Sequence, residues 1–123
     1  MHAVVLYVGD HYTVKALESE SGKCYFREFY ENTLEETQKK KVIKLIQFFA
    51  DRKSIRNETK FRKLKGGGKI FELKSHPVRL LGFYHGKGVF IITHGFKKGK
   101  PIKQEKSKAQ DRKRRFSDPE VKQ

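Results

Sequence analysis

The stretch that decides the fold runs from Ile70 to Lys97 and reads IFELKSHPVRLLGFYHGKGVFIITHGFK. Apolar, β-branched and aromatic residues fill three short runs, 70–73, 78–84 and 89–93, and each run predicts a β-strand. Pro77 separates the first two runs. The segment His85-Gly86-Lys87-Gly88 separates the last two, with the glycines that a tight hairpin needs for positive φ. The region therefore predicts three successive strands in an antiparallel meander.

The N-terminal half predicts one strand and two helices. The apolar, β-branched residues 2–8 indicate a strand, and residues 9–23 read as a polar connection. Aromatic residues at helical spacing then predict a short helix with an aromatic inner face: Tyr25, Phe26, Phe29 and Tyr30. Thr33 followed by Glu36 matches a capping box for a second helix. That helix should end near Arg52 and bury Val42, Leu45, Ile46 and Phe49.

A basic helix is predicted over residues 102–116, after Pro101, which is tolerated in a first helical turn. Its apolar residues fall seven apart, so its buried stripe is thin: Ile102, Ala109 and Phe116. The expected order is β-α-α-β-β-β-α. This is an α+β fold in which two helices pack on one face of an antiparallel sheet. We expect one domain over residues 1–116 and a flexible tail over residues 117–123.

The charge of the chain is concentrated in its second half. The 123 residues contain 29 Lys and Arg against 14 Asp and Glu, yet residues 60–116 alone hold 18 basic and 3 acidic residues. Such a one-sided field attracts polyanions, largely through counterion release at phosphates. Nucleic acid is the favoured partner, while a membrane surface and an acidic protein stay open. The charge asymmetry names no reaction.

Several classes of protein are excluded or disfavoured. The apolar stretch at 3–8 is far too short for a membrane span or a signal-peptide core. The single Cys24 excludes an internal disulfide framework and a multi-cysteine zinc site, and it fits the reducing cytoplasm. The chain has no phosphate-binding Walker loop, and its five histidines are scattered, so we expect neither a metal nor a small-molecule cofactor.

What remains is a basic surface with a few groups able to act on RNA. The RNA 2′-hydroxyl can attack its neighbouring phosphate if other groups move protons and a fixed cation stabilises the phosphoryl charge. Arg79 suits the cationic role and His94 suits proton transfer, with Lys65, Lys97 and Lys98 holding the backbone. Each residue also has a structural explanation. Arg79 could be an ordinary sheet residue, His94 a hydrogen-bonded structural histidine, and the lysines a solvated turn. Glu72, flanked by apolar residues, is interpreted as structural and paired with a neighbouring Lys or Arg.

Three segments resemble the RelE/ParE toxin superfamily: Lys63-Leu64-Lys65-Gly66, residues 70–74 (IFELK) and residues 78–84 (VRLLGFY). The run Ile91-Ile92-Thr93-His94-Gly95-Phe96-Lys97-Lys98 is similar to the phage-derived, HigB-like branch. The segment Ser21-Gly22-Lys23, leading into residues 26–29 (FREF), also resembles that branch. Two features depart from its pattern, namely Lys100-Pro101-Ile102 before the last helix and Glu72, where RelE-like proteins can carry a Lys.

The resemblance implies a RelE-like fold and the toxin of a type II toxin–antitoxin pair, which cuts mRNA in the ribosomal A site without a metal. It implies the catalytic residues Arg79, His94, Lys98 and Lys65. RNA would be bound by Lys63, Lys97, Lys100, Arg112 and Lys113. The implied partners are the ribosome, mRNA and a HigA-like helix-turn-helix antitoxin. Two alternatives stay open: a ParE-like inhibitor that binds DNA gyrase without catalysis, and an inactive nucleic-acid-binding module.

Overall fold

A six-stranded mixed sheet and three helices make up the computed structural model, which describes residues 1–52, 60–66 and 68–117. In chain order the elements are β1 (His2–Val8), β2 (Thr13–Glu18), α1 (Tyr25–Asn32), α2 (Glu36–Asp51), β3 (Phe61–Lys63), β4 (Phe71–Ser75), β5 (Val78–Tyr84), β6 (Val89–Lys97) and α3 (Ile102–Ser117). The α+β class is confirmed. The predicted tail begins at Ser117, which closes α3, and its residues 118–123 lie outside the described residues.

The order of elements differs from the prediction by two strands, the N-terminal β2 and the three-residue edge strand β3 (Phe61–Lys63), which the predicted order omits. Residues 9–23 are not only a polar connection, because Thr13–Glu18 forms β2. The sheet order is β1-β2-β6-β5-β4-β3, and β2 pairs in parallel with β6 while the other neighbours are antiparallel. β2 contains only three buried apolar residues: Val14, Ala16 and Leu17. Its strand state is fixed by pairing with a segment more than 70 residues away, which no local pattern indicates.

The predicted meander is confirmed as β4-β5-β6, with longer outer strands than expected. The hairpin between β5 and β6 closes with a hydrogen bond from the His85 N–H to the Val89 carbonyl, and Gly86 and Gly88 both have positive φ. β6 continues past residue 93 to Lys97 because a bulge re-registers it. Leu81 faces His94, whereas the next residue, Gly82, faces Ile92, so Thr93 is the extra residue.

The N-cap of α2 is Glu35, two residues later than the predicted cap Thr33, and the helix begins at Glu36. Thr33 instead ends α1, where its N–H donates to the Phe29 carbonyl. The capping box is formed by Glu35 and Gln38, and the Glu35 N–H donates to Gln38 Oε1 at 2.9 Å. The predicted inner face of α2 is confirmed, because Val42, Leu45, Ile46 and Phe49 are all buried.

The sheet has a covered core on each face. Helices α1 and α2 pack on one face, as predicted, against residues that include Val14, Leu73, Leu80, Phe90 and Ile92. Helix α3 packs on β5 and β6 from the other face, where Ala109 contacts a second cluster that includes Leu81, Phe83, Ile91 and Phe96. In the part of the chain described here, no helix combines the length and apolar character needed to cross a bilayer.

Candidate nucleic-acid interface

Two arginines and one buried glutamate form a row across β3, β4 and β5. The strand register places Arg62 opposite Glu72. Arg79 lies on β5 two residue pairs away from the pair formed by Glu72 and Leu81. Glu72 Oε1 accepts a hydrogen bond from Arg62 Nε at 2.8 Å, and Oε2 accepts one from Arg79 Nη1 at 3.2 Å. The carboxylate is fully buried, while the Arg62 and Arg79 side chains are 41% and 22% exposed. The predicted pairing of Glu72 with a basic neighbour is therefore confirmed.

This row can present a fixed cation to a phosphate. Two guanidinium groups share one carboxylate, so the cluster keeps a net positive charge. The hydrogen bond from Arg79 to Glu72 uses one N–H of Nη1, out of the five N–H groups of a guanidinium. This contact at one edge of the planar guanidinium fixes the orientation of the group. A bidentate contact with a phosphate requires such a fixed orientation.

His94 lies beneath α3 and is only 5% exposed. Its Nδ1 is 3.0 Å from Thr93 Oγ1, and the Thr93 hydroxyl also lies 3.2 Å from the Leu81 carbonyl oxygen. Its Nε2 is 3.3 Å from Glu105 Oε1, in a geometry that does not form a hydrogen bond. Burial, and then the positive charge of Arg112, lower the pKa of His94, although Glu105 opposes both. The imidazole is therefore neutral at pH 7, and an RNA strand would reach it only if α3 moved.

The predicted lysines divide between the end of β6 and the loop before β4. Lys97 pairs with Val78, next to Arg79, and the Lys98 N–H donates to the Pro77 carbonyl at 2.8 Å. The structure thus brings Lys97 and Lys98 to the same end of the sheet as Arg79. Lys98 and Lys100 are exposed and form an isolated bridge.

Two lysines of α3 anchor the loop that contains Lys65. The Lys106 ammonium donates to the Lys65 carbonyl at 2.7 Å, and the Lys113 ammonium donates to the Gly68 carbonyl at 2.6 Å. The side chains of Lys63 and Lys65 remain exposed. Partial burial and the nearby charge of Lys69 lower the pKa of Lys113. Lys113 therefore has a structural partner in addition to its predicted role in RNA binding.

Arg112 joins α3 to α1. Its guanidinium carbon lies 3.6 Å from the centre of the Tyr25 ring, a cation–π contact. Burial lowers the pKa of Arg112, and Tyr25 and Glu105 partly oppose that shift. The predicted RNA-binding residue is thus half-buried and stacked, so it also fixes the position of α3 over His94.

Sequence reasoning missed Glu105 and Arg62 as parts of this face. Glu105 is buried and contacts both His94 and Lys108, whose ammonium donates to its Oε2 at 3.0 Å. The spacing in the sequence indicated the burial of Glu105, because residue 105 lies three residues after Ile102 and four before Ala109. It therefore falls on the same thin apolar stripe of α3. Arg62 gave no comparable signal, since its pairing depends on the register of β3 with β4.

Two comparisons with known proteins bear on this face. The family model described as "Phage derived protein Gp49-like (DUF891)" matches residues 30–117, which is more than half of the chain. The match covers α2, the meander, Arg79, His94 and α3. No curated protein matches the chain. Among the described residues, no group of three or more His, Cys, Asp or Glu side chains could hold a metal ion.

Proposed function

Because this chain belongs to the Gp49-like family of phage-derived proteins, which is associated with toxins of toxin–antitoxin systems, we propose that it is a toxin that cleaves mRNA on the ribosome. The partner that silences it is then an antitoxin, and we propose a HigA-like helix-turn-helix protein for that role. The observation that carries the catalytic proposal is the Arg79 guanidinium, held at the basic face by a fully buried Glu72.

The proposed reaction is an internal transesterification. The 2′-oxygen of one nucleotide attacks the adjacent phosphorus and loses its proton, and the bond from phosphorus to the 5′-oxygen breaks as that oxygen gains a proton. The products are a cyclic phosphate end and a 5′-hydroxyl end. Arg79 donates to the phosphoryl oxygens as negative charge grows there, an electrostatic role that requires no reorganisation because Glu72 already orients the group.

The remaining basic residues divide into proton carriers and backbone contacts. Lys65 and Lys98 are exposed and therefore able to exchange protons with a bound strand, whereas His94 acts directly only after α3 shifts. Lys63, Lys97 and Lys100 contact phosphates. Arg112 and Lys113 contribute positive potential from α3 while also anchoring it.

The test is mRNA cleavage in a reconstituted translation mixture, mapped by primer extension with and without ribosomes. Arg79→Ala should slow cleavage by about 100- to 1,000-fold, the usual cost of removing one donor to a developing oxyanion. Arg27→Ala is the matched control, because Arg27 lies on α1 with its side chain about half exposed. We expect that variant to cleave at the wild-type rate.

Two results would overturn the proposal. Wild-type cleavage by Arg79→Ala would remove the catalytic role of Arg79, and equal cleavage without ribosomes would remove the ribosome dependence. Intact mRNA in every lane, together with DNA breaks in expressing cells, would instead favour inhibition of DNA gyrase.

A further inference from the structure

A second basic feature lies in a cleft between α2 and the edge of the sheet formed by β3 and β4. The cleft encloses about 620 Å³ and is lined by Lys41, Lys44, Leu45, Phe48, Lys60, Lys74, Ser75 and His76. Half of these residues are lysines, and none carries a carboxylate. Within the described ranges, none of the four lysines forms an ion pair with an acidic side chain. The described lining of the cleft is therefore positively charged, which suits an anionic ligand.

The cleft begins one strand away from Arg79. Lys74 is the register partner of Arg79, and Ser75 is the partner of Val78. Neighbouring strands lie about 4.8 Å apart, so a chain of phosphates that reaches Arg79 can continue to Lys74 without leaving the surface. Lys41 and Lys44 extend the positive charge along α2, where both are exposed.

The cleft also offers an aromatic surface of the kind that single strands use. Phe48 lines it, with one face of its ring covered by the Arg52 guanidinium 4.2 Å from the ring centre, so a base would stack on the other face. Grooves for single-stranded nucleic acid combine a positive track for the backbone with aromatic rings on which bases stack.

We propose that this cleft binds the backbone of single-stranded RNA beside the phosphate held at Arg79, an inference that rests on the proposed function. The scissile phosphate lies on the α3 side of the sheet, and the flanking nucleotides pass the turn between β4 and β5 into the cleft. Lys74 is the link between the two sites. The remaining three lysines then set how strongly the flanking nucleotides are held.

The test uses fluorescence anisotropy to measure the binding of labelled single-stranded oligonucleotides over a range of salt concentrations. The oligonucleotides are 3 and 12 nucleotides long and are 2′-deoxy at the reactive position, so they are not cleaved. The variant is Lys41→Gln/Lys44→Gln. The control, Lys40→Gln/Lys87→Gln, also loses two exposed charges, one on the same helix, and neither residue lines the cleft. Lys41→Arg/Lys44→Arg keeps the charges and should bind as the wild type does.

For the 12-mer, the slope of log affinity against log salt should become shallower by about 1.4, because each of the two lost phosphate contacts accounts for about 0.7. At 0.1 M salt this change corresponds to an affinity about 25-fold weaker than that of the wild type. The 3-mer should be affected less than the 12-mer, because a 3-mer held at Arg79 reaches Lys74 before it reaches Lys41 and Lys44 on α2. Equal binding of the 12-mer by Lys41→Gln/Lys44→Gln and by the control would overturn the proposal. That result would leave the separate proposal of Arg79-dependent cleavage standing.

The remaining outcomes separate this inference from the proposed function. A defect seen only on ribosomes, with normal oligonucleotide binding, would assign the cleft to ribosomal RNA and overturn the proposal. If the protein cuts no mRNA but its binding of the 12-mer depends on the cleft lysines, the proposed function would be overturned and RNA binding in the cleft would be supported.

Discussion

Replacement of Glu72 by glutamine tests the arrangement on which the proposed site depends. The substitution keeps the shape of a fully buried side chain and removes its charge. One of its two oxygens becomes an amide NH₂, which then faces a guanidinium as donor against donor. Either the 2.8 Å contact with Arg62 or the 3.2 Å contact with Arg79 is lost, and the contact that remains loses its charge assistance.

The expected loss of unfolding free energy follows from these contacts. A hydrogen bond to a charged group contributes about 1.5–3 kcal/mol net. The Arg62 side chain is 41% exposed, so water compensates much of its loss, whereas Arg79 is 22% exposed and is compensated less. We therefore expect Glu72→Gln to destabilise the fold by about 2–3 kcal/mol. This is less than the 3–5 kcal/mol typical when a buried charge is left without any partner.

The measurement is urea unfolding at pH 7.5, with Glu31→Gln as the control because Glu31 is exposed on α1. The control should lie within about 0.5 kcal/mol of the wild type. Cleavage by Glu72→Gln, assayed where both proteins are folded, should also fall, because Arg79 loses the group that orients it. A loss below about 0.5 kcal/mol with unchanged cleavage would refute the role assigned to Glu72.

Three further predictions concern α3 and its neighbours. Because the pKa of His94 is lowered in the folded protein, the unfolded chain binds a proton at this imidazole more readily than the folded chain does. The free energy of unfolding should therefore fall as the pH drops below about 6.5. The resulting loss of unfolding free energy should be on the order of 1 kcal/mol at pH 5.5, and His94→Gln should remove that part of the difference between urea unfolding at pH 7.5 and pH 5.5. Gly95→Ala places a methyl group 2.5 Å from the Phe29 ring and should cost about 1–3 kcal/mol in thermal unfolding, so a loss below about 0.5 kcal/mol would contradict that close approach. Arg112→Ala should lower the free energy of unfolding by about 1 kcal/mol because its contact with Tyr25 is lost, and Arg112→Lys should recover part of that loss. Equal urea midpoints for the wild type and the two variants would contradict the importance of that contact.

Much of the fold could be predicted because local patterns and tertiary packing agree. β1 and β5 have the predicted bounds, since alternating or β-branched runs and flanking turn residues define them without help from distant contacts. The inner face of α2 follows in the same way from helical spacing. β2 could not be predicted, because its strand state depends on parallel pairing with β6.

The candidate site was predictable in its residue types and less so in its geometry. Arg79 and the lysines at the end of β6 were identified from charge and resemblance, and the register brings them to one end of the sheet. The burial of His94 was not predictable, because it depends on Glu105 and Arg112 of α3, which approach from a different element. The basic cleft likewise combines residues from α2 and β4, 30 positions apart at Lys44 and Lys74.

Helix α3 has a consequence for how the face around His94 can open. The six strands of the described sheet pair without it, yet α3 covers one face of the sheet and buries His94. Isolated helices of about this length are marginal in water, so α3 is held mainly by its packing on β5 and β6. Local opening of α3 therefore exposes His94 while the sheet and its core with α1 and α2 stay folded, and amide hydrogen exchange would detect it as faster exchange confined to α3.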